Sequence, residues 1–221
     1  MSIEILTPGR LTYADALALQ HRCVDDLLAG TGSEKLILLE HEPVYTIGRT
    51  RDQSSLLARE QLPFPVVETN RGGQATYHGP GQLVGYPILD LNKRGRDLHL
   101  YLRTLESILI DLCQFYGVAA SRRKGLTGVW VKNRKIASLG VGVRKWITMH
   151  GFALNILKTS LPPFAHITPC GIANVTITSL ETESSRAPTI AEVTGRCAAL
   201  IIDLSAGTVG EIPELQTRLQ R

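Results

Sequence analysis

The sequence contains few aromatic residues and no long apolar run. Phe, Trp and Tyr make up 5% of its 221 residues, whereas hydrophobic residues of all kinds make up 43%. We therefore expect a hydrophobic core built mainly from Leu, Ile, Val and Ala. No stretch approaches the roughly 18 consecutive apolar residues that a membrane-spanning helix needs. The composition thus predicts a globular protein without a membrane partner.

The sequence also lacks a secretion signal and the cysteine pattern of a common metal site. Met1–Glu4 has neither the basic flank nor the apolar stretch of a signal peptide, so we expect a cytoplasmic protein. The cysteines are widely spaced and form no Cys-x-x-Cys pair; they are Cys23, Cys113, Cys170 and Cys197. This spacing argues against a zinc ribbon and, in the cytoplasm, against a disulfide framework.

Basic residues are in slight excess but form no long run. The net charge is +4 and the pI about 9.0, which suits an acidic partner such as a nucleic acid or an acidic carrier protein. The basic residues form only short clusters, at Arg122–Lys124 and Lys132–Lys135. Clusters of this length are typical of solvated turns, so we do not expect nucleic-acid binding.

Hydrophobic periodicity predicts one α+β domain. Capping residues and apolar stripes predict helices over residues 12–29, 97–116 and 189–204. The run Lys35–Glu40 has an uninterrupted apolar centre, which indicates a strand buried on both faces. Further strands are expected at residues 3–6, 44–47, 64–68, 83–91, 129–131, 136–143, 146–156 and 175–180. We expect a mixed or mostly antiparallel sheet flanked by the helices.

The stretch Arg71–Gln82 is rich in glycine and carries several polar side chains. It reads Arg-Gly-Gly-Gln-Ala-Thr-Tyr-His-Gly-Pro-Gly-Gln and lies between two apolar segments. Gly and Pro both disfavour a helix interior, and Gly lets the backbone approach a ligand closely because it has no Cβ. We therefore predict a loop between two strands that forms part of a functional site.

Cys170 is the cysteine that no helix explains. The other three lie on or beside predicted apolar helix faces, whereas Cys170 lies between Pro169 and Gly171. A thiol is a useful nucleophile only as a thiolate, which needs a nearby base or cation. The candidates are His78, His150, His166, Lys135 and Lys145, and the residue types alone favour a histidine.

A metal site is not expected among these residues. His166 and Cys170 are four positions apart, and His78 and His150 are the other candidate ligands. Pro169 breaks the helical spacing of the first pair, and no Asp or Glu lies close in sequence. The ligand spacings typical of a zinc site are therefore missing.

Several motifs together resemble one enzyme family. Arg71–Gln82, the run Lys135-Ile-Ala-Ser-Leu-Gly140 and the run Thr168-Pro-Cys-Gly171 resemble the lipoyl(octanoyl) transferases, known as LipB. Leu39–Gly48 and His150–Asn155 are similar to further segments of that family. The first motif is long and specific, and the matches extend over about residues 39–180.

The resemblance implies both a fold and a reaction. The fold is that of biotin and lipoate protein ligases, as a single domain over residues 1–221 with a catalytic core at about 30–210. The reaction moves an octanoyl group from octanoyl-acyl carrier protein to a lysine of lipoyl domains, in 2-oxoacid dehydrogenases and the glycine cleavage H protein, without a cofactor or metal. By this resemblance Cys170 forms the acyl thioester and Lys135 is its partner. The substrate-binding residues implied are Arg71, Gly72, Gly73, Gln74, Ala75, Thr76, Tyr77, His78, Ser138, Leu139, Gly140, Gly151, Phe152 and Ala153.

Other functions fit parts of the sequence. An ATP-dependent lipoate or biotin ligase on the same fold would need an adenylate and a lysine but not Cys170. An amidotransferase that moves octanoyl groups between lipoyl domains would also use a cysteine. A non-catalytic binding module is disfavoured by the Gly-rich stretch and by Cys170. Phe152 is larger than the family pattern suggests, which predicts a reshaped acyl pocket.

Overall fold

The computed structural model describes residues 3–50, 53–57, 59–168, 175–186 and 188–206. Within these residues the chain forms strands, helices and short 3₁₀ turns. The strands are β1 (Glu4–Leu11), β2 (Lys35–His41), β3 (Val44–Ile47), β4 (Val66–Glu68), β5 (Thr76–His78), β6 (Gln82–Ile88), β7 (Ser121–Arg123), β8 (Leu126–Val131), β9 (Arg134–Arg144), β10 (Ile147–Asn155) and β11 (Thr176–Ile177). The helices are α1 (Tyr13–Ala29), α2 (Leu98–Phe115), α3 (Leu180–Glu183) and α4 (Ile190–Ala206).

Most strands join one central sheet. Its order is β1-β2-β6-β10-β9-β8-β7, with β11 beside β9. β1 is parallel to β2 and β11 is parallel to β9. The remaining neighbours are antiparallel. The sheet is therefore mixed, and together with the helices it confirms the predicted α+β class.

Helices cover both faces of the central sheet, as the alternating directions of the β2 side chains show. Leu36 and Leu38 pack in the main hydrophobic cluster with α2 and α4. Ile37 and Leu39 pack in a second cluster with α1. All four side chains are at most 3% exposed. The apolar run in the sequence thus marks a strand buried on both faces, as predicted.

The helices begin at the predicted caps. Thr12 accepts a hydrogen bond from the Asp15 amide before α1, and Asp97 accepts one from the Leu100 amide before α2. A capping box at Thr189 precedes α4. The three predicted helices are confirmed to within two residues at each end. In the described part of the chain, no helix is long and apolar enough to cross a membrane.

The strand predicted at residues 175–180 is wrong over its second half. Only Thr176–Ile177 pair as a strand, β11, and α3 begins at Leu180. Ser179 accepts a hydrogen bond from the Thr182 amide, and Glu181 and Glu183 lie in the first turn. A side-chain cap and carboxylates at a helix N-terminus both favour helix, so these local signals outweigh the β propensity of the segment.

The Gly-rich stretch is not a loop throughout, because part of it forms β5. β5 is antiparallel to β3, and β3 is parallel to β4, which gives a small second sheet. Tyr45 and Tyr77 from this sheet pack with Phe164 in a third hydrophobic cluster. This cluster gives the centre of the stretch a fixed position against the rest of the fold.

Candidate active site

A narrow cavity lies between the Gly-rich stretch and strands β9 and β10. It encloses about 440 Å³ of empty space, part of it open to solvent. The predicted residues that line the cavity are Arg71, Gly73, Gln74, Thr76, His78, Ser138, Leu139, Gly140, Gly151, Phe152 and Ala153. The structure therefore brings three separate sequence motifs to one place.

Three predicted residues do not line this cavity. Side chains of a strand point alternately to opposite faces, so Ala75 and Tyr77 point away from Thr76. Ala75 and Tyr77 pack instead in the hydrophobic cluster of the small sheet. The amide of Gly72 donates to the Val141 carbonyl oxygen at 2.9 Å. Gly72 thus attaches the Gly-rich stretch to β9.

Glycines on β9 and β10 allow the Gly-rich stretch to lie close to the sheet. Gly140 pairs with Gly151 across the two strands. A Cβ at Gly140 would lie 2.8 Å from the Gly72 carbonyl oxygen, and a Cβ at Gly151 would lie 2.3 Å from the Gly85 carbonyl oxygen. A larger residue at either position would therefore push neighbouring backbone away and change the shape of the cavity.

The ring of Phe152 fits over a glycine on the neighbouring strand. Phe152 pairs with Gly85, and a Cβ at Gly85 would lie 2.1 Å from the ring. The ring belongs to the main hydrophobic cluster, whereas the next residue, Ala153, belongs to the cluster with α1. The size of Phe152 is thus matched by Gly85 in the core, and its effect on an acyl pocket stays a prediction.

Arg71 is a buried cation that ties the Gly-rich stretch to β3. It is 7% exposed. Its Nη2 donates to the carbonyl oxygen and the hydroxyl of Thr46 at 2.8 and 2.7 Å. Its Nη1 donates to the Gly72 carbonyl oxygen at 3.0 Å. Arg71 therefore shapes the cavity wall in addition to lining it.

A chain of hydrogen bonds fixes the tautomer of His78. Asn155 Nδ2 donates to the Thr178 carbonyl oxygen at 3.0 Å, and Asn155 Oδ1 accepts from Gln82 Nε2 at 2.8 Å. Gln82 Nε2 also donates to the Tyr77 carbonyl oxygen, so Gln82 Oε1 faces His78 Nδ1 at 2.8 Å. An amide oxygen only accepts, so His78 carries its proton on Nδ1. The Nε2 lone pair of His78 remains available as an acceptor in the cavity wall.

Sequence reasoning missed two aromatic residues of the cavity. Tyr13 and Tyr86 line it together with His150, which the sequence marked only as a candidate partner of the thiol. Tyr86 Oη lies 2.7 Å from His41 Nε2, and His41 Nδ1 lies 3.2 Å from the Leu11 carbonyl oxygen. The His41 proton is therefore on Nδ1, and Tyr86 donates to Nε2. No spacing in the sequence predicts that these two tyrosines and two histidines meet, because they come from four different elements, α1, β2, β6 and β10.

Burial keeps the histidines of this region neutral. It lowers the pKa of His41 to about 4 and that of His150 to about 4. The positive charge of Arg71 adds to the effect at His150. Burial likewise lowers the pKa of His78 well below its usual value. At neutral pH the cavity wall therefore carries uncharged imidazoles beside one buried guanidinium.

The free energy of unfolding is expected to fall when the pH is lowered from 7 to 5. These histidines titrate near pH 6.5 in the unfolded chain and lower in the folded one, so the unfolded state binds more protons in this window. With folded pKa values of about 4, His41 and His150 should each cost about 2 kcal/mol of stability over it. Urea unfolding at both pH values measures the change.

Two variants control this pH experiment. His150→Gln should reduce the pH dependence of stability, whereas His99→Gln should not, because His99 is exposed. An unfolding free energy that stays constant between pH 7 and pH 5 would contradict the neutral buried state of these histidines.

Lys135 lies on β9, close to the cavity, but does not line it. It is 1% exposed, with its Nζ 5.5 Å from the centre of the Trp130 ring. Lys135 pairs with Trp130 while Ala137 pairs with Val129, so β9 contains one extra residue between these pairs. Such a bulge shifts the alternation of side chains. Lys135 and Ser138, three positions apart, thereby come to the same face of the sheet.

Cys170 lies outside the described residues, but both flanks of its segment are described. The Thr168 amide donates to the Ser55 carbonyl oxygen at 2.7 Å. Ile177 pairs with Lys135, where β11 runs beside β9. Cys170 is therefore two residues after one anchored position and seven before another, and the second anchored position is next to Lys135.

The other three cysteines are buried, as predicted, and are poor nucleophiles. Burial raises the pKa of the Cys113 and Cys197 thiols to about 12 and also raises that of Cys23. The thiolate is the reactive form, so burial suppresses its chemistry at these positions. These three cysteines are therefore poor candidates for covalent chemistry.

The remaining candidate partners of the thiol are exposed. Lys145 lies in the turn between β9 and β10, and His166 ends a 3₁₀ helix. Neither lines the cavity. Among the residues that the structure describes, no group of three or more His, Cys, Asp or Glu side chains could hold a metal ion.

Comparison with known proteins identifies the family. The chain matches the model of the lipoyl protein ligase A/B catalytic domain over residues 12–201. The chain belongs to this family. An octanoyltransferase of Geobacter sulfurreducens is 52% identical over 211 residues, which cover 96% of this chain and 88% of that protein. The protein is therefore an acyltransferase, and the family indicated by the sequence motifs is confirmed.

Two solved structures share the fold at low sequence identity. A lipoate-protein ligase A bound with ATP has a TM-score of 0.73 and 13% identity, covering 93% of this chain and 86% of that chain. The biotin protein ligase from Aquifex aeolicus, in complex with biotin and ATP, has a TM-score of 0.57 and 12% identity, covering 94% and 74%. These likenesses concern the fold alone, and they confirm the predicted relation to the two ligase folds.

Proposed function

We propose that this member of the family transfers an octanoyl group from octanoyl-acyl carrier protein to a lysine of lipoyl domains, through a thioester on Cys170. The acceptors are the lipoyl domains of 2-oxoacid dehydrogenases and the glycine cleavage H protein. The observation that carries the proposal is the position of Lys135, which is buried on the same face of the sheet as Ser138. Its backbone pairs with that of Ile177 in β11, the strand that follows the segment containing Cys170. The octanoyltransferase at 52% identity supports octanoyl as the acyl group.

In the first step the Cys170 thiolate attacks the carbonyl carbon of the donor thioester. A bond forms between that carbon and the Cys170 sulfur, and the bond to the carrier sulfur breaks. The ammonium of Lys135 stabilises the attacking thiolate by its charge and then gives a proton to the departing carrier thiolate. One thioester replaces another, so the step needs no ATP.

In the second step the acceptor lysine attacks the enzyme thioester as a neutral amine. A carbon–nitrogen bond forms, and the Cys170 thiolate leaves. Lys135, neutral after the first step, accepts the proton that the amine loses. This restores the ammonium and the thiolate for the next cycle. The product is an amide, which makes the second step strongly favourable.

The cavity supplies binding energy and the oxyanion contacts. Burial of each methylene of the acyl chain contributes about 0.8 kcal/mol, so the chain can supply several kcal/mol of affinity. Backbone amides stabilise the negative oxygen of each tetrahedral intermediate. The Gly72 amide already donates to Val141. Alternate amides along β9 face the same way, so the Leu139 amide, like Val141, faces away from β10. The amides of Gly73 and Leu139 are therefore the donors that we assign to the oxyanion.

Intact-mass analysis tests the proposed reaction. The protein is mixed with octanoyl-acyl carrier protein without ATP, and a lipoyl domain is added afterwards. We expect a single octanoyl adduct on Cys170 that disappears as the lipoyl domain gains the group. An octanoylated lipoyl domain formed only from free octanoate and ATP would instead assign the protein to the ligases. Adduct formation from an octanoyl-lipoyl domain, but not from the carrier protein, would indicate an amidotransferase.

A further inference from the structure

The side chain of Lys135 passes over a position of β8 that has no side chain. Gly128 and Trp130 are two residues apart on β8 and therefore share a face. A Cβ at Gly128 would lie 2.5 Å from Lys135 Cε and 3.1 Å from Lys135 Nζ. Lys135 is thus packed between the Trp130 ring and the bare backbone of Gly128.

Gly128 is held in place by a buried carboxylate. Its φ of +133° is one that side-chain-bearing residues rarely adopt. Its amide donates to Glu106 Oε1, on α2, at 2.9 Å. Glu106 is 0% exposed, and its Oε2 accepts from Arg103 Nη1 at 2.6 Å and from Arg122 Nε at 3.1 Å. A buried charge is tolerated only when it is paired and hydrogen-bonded, and here the second oxygen serves one backbone amide of β8.

We infer that Gly128, held by Glu106, sets the position of the Lys135 ammonium, so that both are positioning residues for acyl transfer. The inference rests on the proposed catalytic role of Lys135. The other atom near a Cβ at Gly128 is the Ala137 carbonyl oxygen, at 2.9 Å. That oxygen belongs to the sheet backbone and yields little, whereas the end of a lysine side chain moves easily. A methyl group at Gly128 therefore displaces Lys135 Nζ.

A double-mutant cycle tests this inference. Gly128→Ala is expected to lower the single-turnover rate of acylation by octanoyl-acyl carrier protein about tenfold. The donor concentration at half-maximal rate should stay within about twofold, because donor binding is untouched. In a Lys135→Ala background, Gly128→Ala should change the residual rate less than about twofold, since the displaced atoms are absent. If Gly128 had a purely structural role, Gly128→Ala would lower the acylation rate by the same factor with and without Lys135.

A neighbouring glycine provides the matched control. Gly125 lies in the same hairpin with a φ of +78°, and a Cβ there would meet no atom within 4 Å. Gly125→Ala therefore imposes backbone strain without touching Lys135, and acylation should stay within about twofold of the wild-type rate.

Glu106→Asp keeps the inference testable if Gly128→Ala does not fold. The shorter side chain keeps a negative charge near the two arginines, but its carboxylate no longer reaches the Gly128 amide, so that hydrogen bond is lost. We expect acylation to fall severalfold when Lys135 is present and to be unaffected in the Lys135→Ala background.

The outcomes separate this inference from the proposed function. Equal effects of Gly128→Ala and of Glu106→Asp in both backgrounds would overturn the positioning role and leave the two-step transfer standing. A wild-type acylation rate in Lys135→Ala alone would remove the catalytic role of Lys135, and the positioning role with it.

Discussion

Cys170→Ala is expected to abolish the octanoyl-enzyme adduct and to lower turnover by about a thousandfold or more, because the variant lacks the proposed nucleophile. No other cysteine replaces it, since Cys113 and Cys197 have thiol pKa values raised to about 12 by burial. Intact mass reports the adduct, and transfer to a lipoyl domain reports turnover. Circular dichroism shows whether the variant keeps its fold.

Cys23→Ala is the matched control for this experiment. Cys23 is buried in the cluster under α1, and burial raises its pKa. The variant should therefore form the adduct at the wild-type rate, with at most a small loss of stability. If Cys170→Ala retained full transfer activity from the carrier protein, the thioester mechanism would be wrong.

Lys135→Met is expected to slow acylation by about 10²- to 10⁴-fold, because the variant lacks the group that we propose to stabilise the thiolate and move the proton. Met is unbranched and similar in length to the lysine stem, so it should fill the space beside Trp130 and preserve the fold. Rapid-quench measurement of the adduct gives the acylation rate. The donor concentration at half-maximal rate should change little, since Lys135 does not line the cavity.

Lys124→Ala is the corresponding control. Lys124 lies in the hairpin between β7 and β8 and is exposed. Its removal should leave the acylation rate unchanged, so a loss seen only in Lys135→Met reflects the buried ammonium. An unchanged acylation rate in Lys135→Met would remove Lys135 from the mechanism.

The sequence by itself determined much of the secondary structure and the family. Helix caps are local signals, and Thr12, Asp97 and Thr189 each mark a helix start that the structure confirms. The apolar run of β2 is a local signal as well, because burial on both faces leaves no polar alternation. The composition of the Gly-rich stretch is also a local signal, because its glycines disfavour a helix and allow the backbone to approach a ligand closely. The sequence also marked Cys170, because no predicted helix explains it, but only the resemblance to a family selected Lys135 from its candidate partners.

The tertiary structure decided which residues share the site. Tyr13, Tyr86 and His41 come from separate elements, so no spacing along the chain could predict their contact. The face on which Lys135 lies depends on one extra residue in β9, and shifting a strand by one residue moves its side chains to the other face. The hydrogen bond from Gly128 to Glu106 likewise depends on how α2 packs on β8. Local periodicity encodes elements, whereas register and packing between distant elements place the chemical groups.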